Sequence, residues 1–168
     1  TPTQQAKLEA DTPANLDLLG HTAAISNDGN VAVVGAIRDD TTTTDAGAAF
    51  VYTRSGSTWT RAAKLLDSTG SATDYFGYPD VDISGDGGTI AILNSAGEAF
   101  IFTGSGSSWS QQTKITTGNS GLFSCSLSVD GNIFIVGNGP GQGGNSKLYT
   151  RSGSTWSSAT TLQRGDAV

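Results

Sequence analysis

Methionine is absent from this 168-residue chain, and cysteine and histidine occur once each, as Cys125 and His21. A single cysteine excludes an intrachain disulfide, and because β-proteins of this size can do without one, the compartment stays open. A single histidine makes any Ser-His-Asp arrangement depend wholly on that residue. With no initiator Met and no signal peptide to be read at Thr1, the chain is expected to be a processed product or a window of something longer. Charged residues make up only 14%, the net charge is −6 and no Lys/Arg cluster occurs. That field repels phosphate backbones and excludes nucleic acid as an expected partner. No apolar run approaches the ~20 residues of a transmembrane helix, so no membrane span is expected. No 3.6-period apolar stripe exceeds two turns, and helices are not expected either.

What remains is turn-rich and strand-like. Glycine reaches 23, serine and threonine are abundant, and the 36% hydrophobic content is dispersed in short alternating runs. This is an all-β composition in a chain long enough for one domain with a real core. A lean, acidic, Ser/Thr/Gly-rich chain also suits an extracellular, cell-surface or particle-surface setting.

The runs repeat. A turn of the form Ser-Gly-Ser-Thr/Ser-Trp ends at Trp59, Trp109 and Trp156, spaced 50 and 47 residues apart. In the first repeat "HTAAIS", "VAVVGA", "AAFVYTR" and "WTRAAKL" read as strands, joined by an Asp-Gly hairpin, a loop and the Ser-Gly turn. The second gives "PDVDIS", "TIAIL", "EAFIFTG" and "WSQQTKI"; the third gives "CSLSV", "IFIVGN", "SKLYTR" and "WSSATTL". A four-stranded antiparallel unit recurring every ~50 residues is a β-propeller blade. The expected fold is therefore a propeller segment of about three such blades. The alternative is a β-trefoil, which also has three units of this length.

The sequence resembles the FG-GAP repeat family, the blade type of integrin α-subunits and of many bacterial surface proteins. The residues that carry the resemblance are Leu19-Gly20, Phe76-Gly77 and Phe123-Ser124 at the Phe-Gly position, then "NDGN", "GDGG" and "VDGN", with Gly35-Ala36 ending a strand. "YTRSGSTW" and "QQAKL" are similar to the bacterial subgroup. Integrin-like members carry Ca²⁺ in the first hairpin on clustered carboxylates, which supply the several hard oxygens calcium needs. Transferred by position, the second repeat offers Asp82, Ser84 and Asp86, with Ile90 where a final Asp belongs. The first and third repeats keep one carboxylate each, Asp28 and Asp130. No metal site is expected from these, Asp82, Ser84 and Asp86 being the one residual candidate set, and Ca²⁺ the one candidate cofactor.

The repeats run approximately over residues 9–66, 67–116 and 117–163 of a single repeat domain, but the last-strand motif occurs four times. "QQAKL" at Gln4–Leu8 precedes "RAAKL", "QQTKI" and "SATTL". Residues 1–8 are thus expected to be a stray outer strand of another blade, and 164–168 the start of a further interblade linker. The expected partners are the remainder of a longer chain or further copies of this one, since an isolated segment exposes sheet edges and an apolar face.

Chemistry is sparsely provided. His21 stands at a strand start, Cys125 in an alternating strand, and no acid can be placed opposite Asp39-Asp40 by spacing, so no enzyme activity is expected. "RGD" at Arg164–Asp166 falls in a linker-equivalent segment and reads as a chance tripeptide. Gly137–Asn145 lacks the Lys-Ser/Thr and following helix of a phosphate loop. The three Trp rings are expected to fill the wedge between sheets. Binding is expected on the face carrying the second-to-third-strand and interblade loops, because loops on a rigid scaffold are free to vary. Candidate contacts are Asp39, Asp40, Asp45, Tyr75 and Tyr78. These features, with the resemblance, point to a non-enzymatic binding or structural module such as an adhesin, surface or appendage component, with a protein or glycan ligand. A self-assembling virion or filament subunit and a sugar-binding lectin are the alternatives.

Overall fold

Each Asp-Gly hairpin closes by the same set of bonds. Ser26 Oγ donates to Asp28 Oδ1 at 2.7 Å, the same carboxylate oxygen accepts the Asn30 N–H at 2.9 Å, and Ser26 Oγ accepts the Val31 N–H at 3.0 Å. Ser84 with Asp86, and Ser128 with Asp130, repeat the pattern. Gly29, Gly87 and Gly131 supply the positive φ of 67°, 75° and 65° that these turns need. The turns also join to one another, Asn27 N–H donating to Gly85 O at 3.0 Å and Asp86 N–H to Val129 O at 2.8 Å.

The computed structural model describes residues 1, 3–10, 16–118, 121–139, 145–157 and 159–162. The strands of the first sheet are β1 (Leu19–Ile25), β2 (Val31–Ala36), β3 (Ala48–Ser55) and β4 (Thr58–Leu65). The second has β5 (Val81–Ile83), β6 (Thr89–Leu93), β7 (Glu98–Ser105) and β8 (Ser108–Thr116). The third has β9 (Leu122–Leu127), β10 (Ile133–Asn138), β11 (Ser146–Ser152), β12 (Thr155–Trp156) and β13 (Thr160–Leu162). Each sheet is an antiparallel meander in chain order, and no helix occurs among the described residues. This is the expected all-β arrangement of three blades.

The third blade departs in one detail. Its fourth strand is in two pieces, β12 and β13, both pairing with β11. Between them the Ser157 hydroxyl accepts the Thr150 N–H at 3.0 Å, a side-chain bond that competes with the regular ladder.

Two apolar layers hold the three sheets together. Val33, Val51 and Leu65 of the first sheet meet Ile90, Ile92 and Phe100 of the second, with Phe76 edge-on to Phe100 and Phe102 between them. Ala91, Leu93 and Ile101 on the opposite face meet Phe134, Val136 and Tyr149 of the third. With apolar residues on both faces, β6 is buried throughout because a sheet covers it on each side, and β2 is buried almost throughout because the second sheet covers one face and the segment bearing Leu8 and Ala10 the other. A third layer on the remaining face of the first sheet receives Leu8 and Ala10. Residues 3–10 form no strand. They cross that face, held by Trp59 Nε1–H donating to Gln5 Oε1 at 3.3 Å and the Tyr52 hydroxyl to Glu9 O at 2.9 Å.

Candidate functional site

The ends of four strands from two sheets meet on the loop face. The chain leaves β2 at Ile37 and Arg38, and the loop up to Gly47 is fastened to the segment before β5. Thr73, Tyr75 and Phe76 N–H groups donate to Thr44, Asp45 and Ala46 carbonyls at 3.0, 3.2 and 2.7 Å. Gly77 N–H reaches Leu93 O at 2.9 Å and Ser95 N–H reaches Asp74 O at 2.9 Å, which ties in the end of β6. Leu18, Asp45, Thr73 and Tyr75 hold positive φ of 54°, 52°, 65° and 49°. Non-glycine residues take such values at a cost of order 1–3 kcal/mol each, where the surroundings over-determine them. Four such residues gather around one loop cluster.

The cluster encloses an open cavity of about 410 Å³ lined by Leu18, His21, Ile37, Arg38, Tyr75, Tyr78 and Ser95. The His21 and Tyr78 rings lie 5.7 Å apart and tilted by 43°. Aromatic faces, an imidazole, a guanidinium and a hydroxyl thus border one apolar-floored recess, the composition of a small-ligand or side-chain site. Tyr75 and Tyr78 stand here as a pair on the expected face. His21, Arg38, Leu18, Ile37 and Ser95 were not in the expected set. Their one sequence signal is position, each lying at the loop-face end of a strand.

The acidic candidates have different employment. Asp39 is only 5% exposed; its carboxylate accepts Lys64 Nζ–H at 2.7 Å and the Thr41 N–H at 3.0 Å. Burial pushes its carboxyl up, but the bonds from Lys64 and Thr41 outweigh that and leave it below the ordinary range. The Asp40 carboxylate accepts the Asp45 N–H at 2.7 Å, and Asp45 carries the bend onto which Tyr75 is hung. These residues shape the loop rather than line the cavity.

The calcium candidates are likewise engaged. Asp86 closes its own turn through Ser84, while Asp82 points across to the third sheet and accepts the Leu127 N–H at 2.6 Å. Among the described residues no three His, Cys, Asp or Glu side chains gather at one point. Cys125 packs against the second layer, its thiol pushed up well above the ordinary value by burial and by the Asp80 and Asp82 carboxylates. The Trp rings pack on the sheets, Trp109 against the first layer and Trp156 edge-on to Phe134 at 6.3 Å. Arg164–Asp166 and most of the Gly137–Asn145 loop lie outside the described residues.

Residues 2–52 match the FG-GAP repeat family. The match runs from the segment that crosses the first sheet to Tyr52, whose hydroxyl bonds that segment at Glu9. The FG-GAP resemblance carried by "QQAKL", "NDGN" and Gly35-Ala36 is thereby borne out over this stretch. No curated protein matches in sequence. Among solved structures the chain is similar to the periplasmic gluconolactonase PpgL of Pseudomonas aeruginosa, with a TM-score of 0.64, 14% identity, and 85% of this chain and 39% of that one covered. It is also similar to Sqt1 of Saccharomyces cerevisiae, with a TM-score of 0.57, 12% identity, and 82% and 33% covered. The chain thus spans well under half the length of these structures. At such identity the likeness shows the fold, a β-propeller segment, and sets the trefoil aside.

Proposed function

We propose that this FG-GAP segment is a non-enzymatic binding module of an extracellular, cell-surface or particle surface, and that its loop-face cavity holds a glycan or protein ligand. The observation that carries the reading is the cavity between the first two sheets, where Tyr75, Tyr78, His21 and Arg38 converge on a strained, cross-braced loop pair. Two aromatic faces accept the flat apolar side of a sugar ring or a side chain, and the imidazole and guanidinium offer directed polar contacts. Cross-bracing lowers the ordering cost of binding, because the loops are already held. Burial and the Asp80 and Asp82 carboxylates push the Cys125 thiol up, which disfavours the thiolate that a nucleophile needs. The low charge and abundant Ser, Thr and Gly favour the surface setting.

The test is binding of the 168-residue chain to arrays of defined oligosaccharides and peptides, alongside the Tyr75→Ala/Tyr78→Ala variant, with gluconolactone hydrolysis assayed on the same preparation. Expected are a ligand whose signal the double variant loses, an unchanged melting temperature and no turnover. Lactone turnover, or binding indifferent to both tyrosines, would overturn the reading.

A further inference from the structure

The basic side chains of this chain are engaged almost without exception. Lys7 meets Glu9 at 2.6 Å, Lys64 meets Asp39 at 2.7 Å and Lys114 meets Glu98 at 2.8 Å. Arg54 and Arg151 lie over the Trp59 and Trp156 rings, and Lys147 donates to Thr117 O. Arg61 is engaged as well. Among the described residues Arg38 alone has no hydrogen bond, ion pair or ring contact from its side chain, and it borders the loop-face cavity.

Carboxylates on the two loops around that cavity are turned elsewhere. Asp39 is held by Lys64, the Asp40 carboxylate accepts the Asp45 N–H, and the Asp74 carboxylate accepts the Ser71 N–H at 2.6 Å. A guanidinium without an acceptor at the rim of an apolar recess is a rigid donor fork, and its geometry matches a carboxylate.

The backbone donors of the recess are already in use. The N–H groups of His21, Arg38, Tyr75, Tyr78 and Ser95 donate to the Leu18, Asp17, Asp45, Tyr75 and Asp74 carbonyls at 2.8 to 3.2 Å. These residues therefore offer neither the strand-like pairing that holds an extended peptide nor a nest of N–H groups for an anion. Recognition falls to side chains. The tyrosine rings suit the face of a pyranose, and Arg38 suits an acid carried on that ring. The Ser95 hydroxyl already donates to Thr73 O at 3.2 Å, which leaves it as an acceptor.

Given that the cavity is a ligand site as proposed above, we infer that it takes an acidic sugar residue, the ring against Tyr75 and Tyr78 and the carboxylate on Arg38. The net charge of −6 repels an anion at long range, so a preference for the acid has to come from this local contact.

The test is an array of uronate- and sialate-containing oligosaccharides, each beside its carboxyl-reduced counterpart, with tetraglutamate as a peptide acid. The 168-residue chain is the probe at neutral pH, and bound members are titrated calorimetrically. Expected is an acidic oligosaccharide held roughly tenfold or more tightly than its reduced counterpart, the span of a charge-assisted hydrogen bond. Arg38→Gln abolishes that difference, and Arg38→Lys, which keeps the charge but not the fork, regains part of it. Lys7→Gln removes the same charge from outside the cavity and leaves the difference in place. Arg38 is exposed, so its substitution spares the fold, which circular dichroism checks. Acidic and reduced members bound equally through Tyr75 and Tyr78 would overturn the acid and leave the cavity as a ligand site. Tetraglutamate held more tightly than every acidic sugar would overturn the sugar. An acidic preference that survives Arg38→Gln would overturn the assignment to Arg38, and an array with no bound acidic member overturns the inference whole.

Discussion

The carboxylate of Asp82 accepts a hydrogen bond at 2.6 Å from the backbone N–H of Leu127, which belongs to the neighbouring blade. Two residues earlier Asp80 does the same for the Cys125 N–H at 3.0 Å. β9 is an edge strand, and its outward N–H groups would otherwise lack strand partners. Asp82, one of the three residual calcium candidates, thus serves with Asp80 as a clamp between sheets.

Asp82→Ala is expected to destabilise the fold by about 1–3 kcal/mol, since it leaves a partly buried N–H without its acceptor. Asp82→Asn keeps an acceptor and should cost less. Burial raises the Asp82 carboxyl above its ordinary 3.8, the backbone bonds only partly opposing it. The folded chain therefore holds this proton more tightly than the unfolded one, and the associated stability is full below the ordinary value and fades as pH rises through the folded value. Urea midpoints across that range should fall less steeply with pH in Asp82→Asn than in wild type.

Asp130 should show the opposite sign. Its bonds from Ser128 and Asn132 favour the charged form and bring its carboxyl down to about 2. Its contribution is present above the ordinary carboxylate value and is lost as pH falls toward about 2. A carbon-detected titration of Asp130 should give a midpoint near that value, and Ser128→Ala should move the midpoint upward.

Gly47→Ala is expected to loosen the loop face. Gly47 holds a φ of +83°, and an added Cβ would lie 2.4 Å from the Phe76 backbone nitrogen and oxygen. Either the loop pair parts or the strain remains, at a cost of about 1–3 kcal/mol. Amide exchange of Tyr75 and Phe76 should quicken more than that of β6, which reports local opening rather than global unfolding.

Phe76→Ala should be the more damaging change. Phe76 is fully buried against Phe100 and Phe102, at the seam of the first two sheets. Truncating a buried Phe costs about 3–5 kcal/mol, and thermal melting should show it directly.

Some of this was legible in the chain. β2, β6 and β10 are bounded as the sequence suggests, because an Asp-Gly turn fixes one end and a short apolar run admits one strand length. The third blade's last strand was less legible, since Ser157 bonds to backbone groups and interrupts the ladder. Tyr75 and Tyr78 could be picked out as aromatic residues in a loop. Their companions could not, because His21, Arg38 and Ser95 come from strand ends scattered along the chain and share no spacing rule.

Local chemistry determined the unit: alternating apolar residues, Asp-Gly and Ser-Gly turns, and a Trp at each fourth strand are interactions among near neighbours, so sequence alone states the blade and its repetition. What the carboxylates do was decided only when blades stacked. Asp82 faces either a metal or a neighbouring N–H according to what packs beside it, and the third sheet supplies the N–H. The same holds for Gln4–Leu8, whose outer-strand pattern is local but whose place against Trp59 is set by the apolar face of a sheet tens of residues away. Hydrogen bonds and burial at long sequence separation have no local signature, and they decided how these residues are placed.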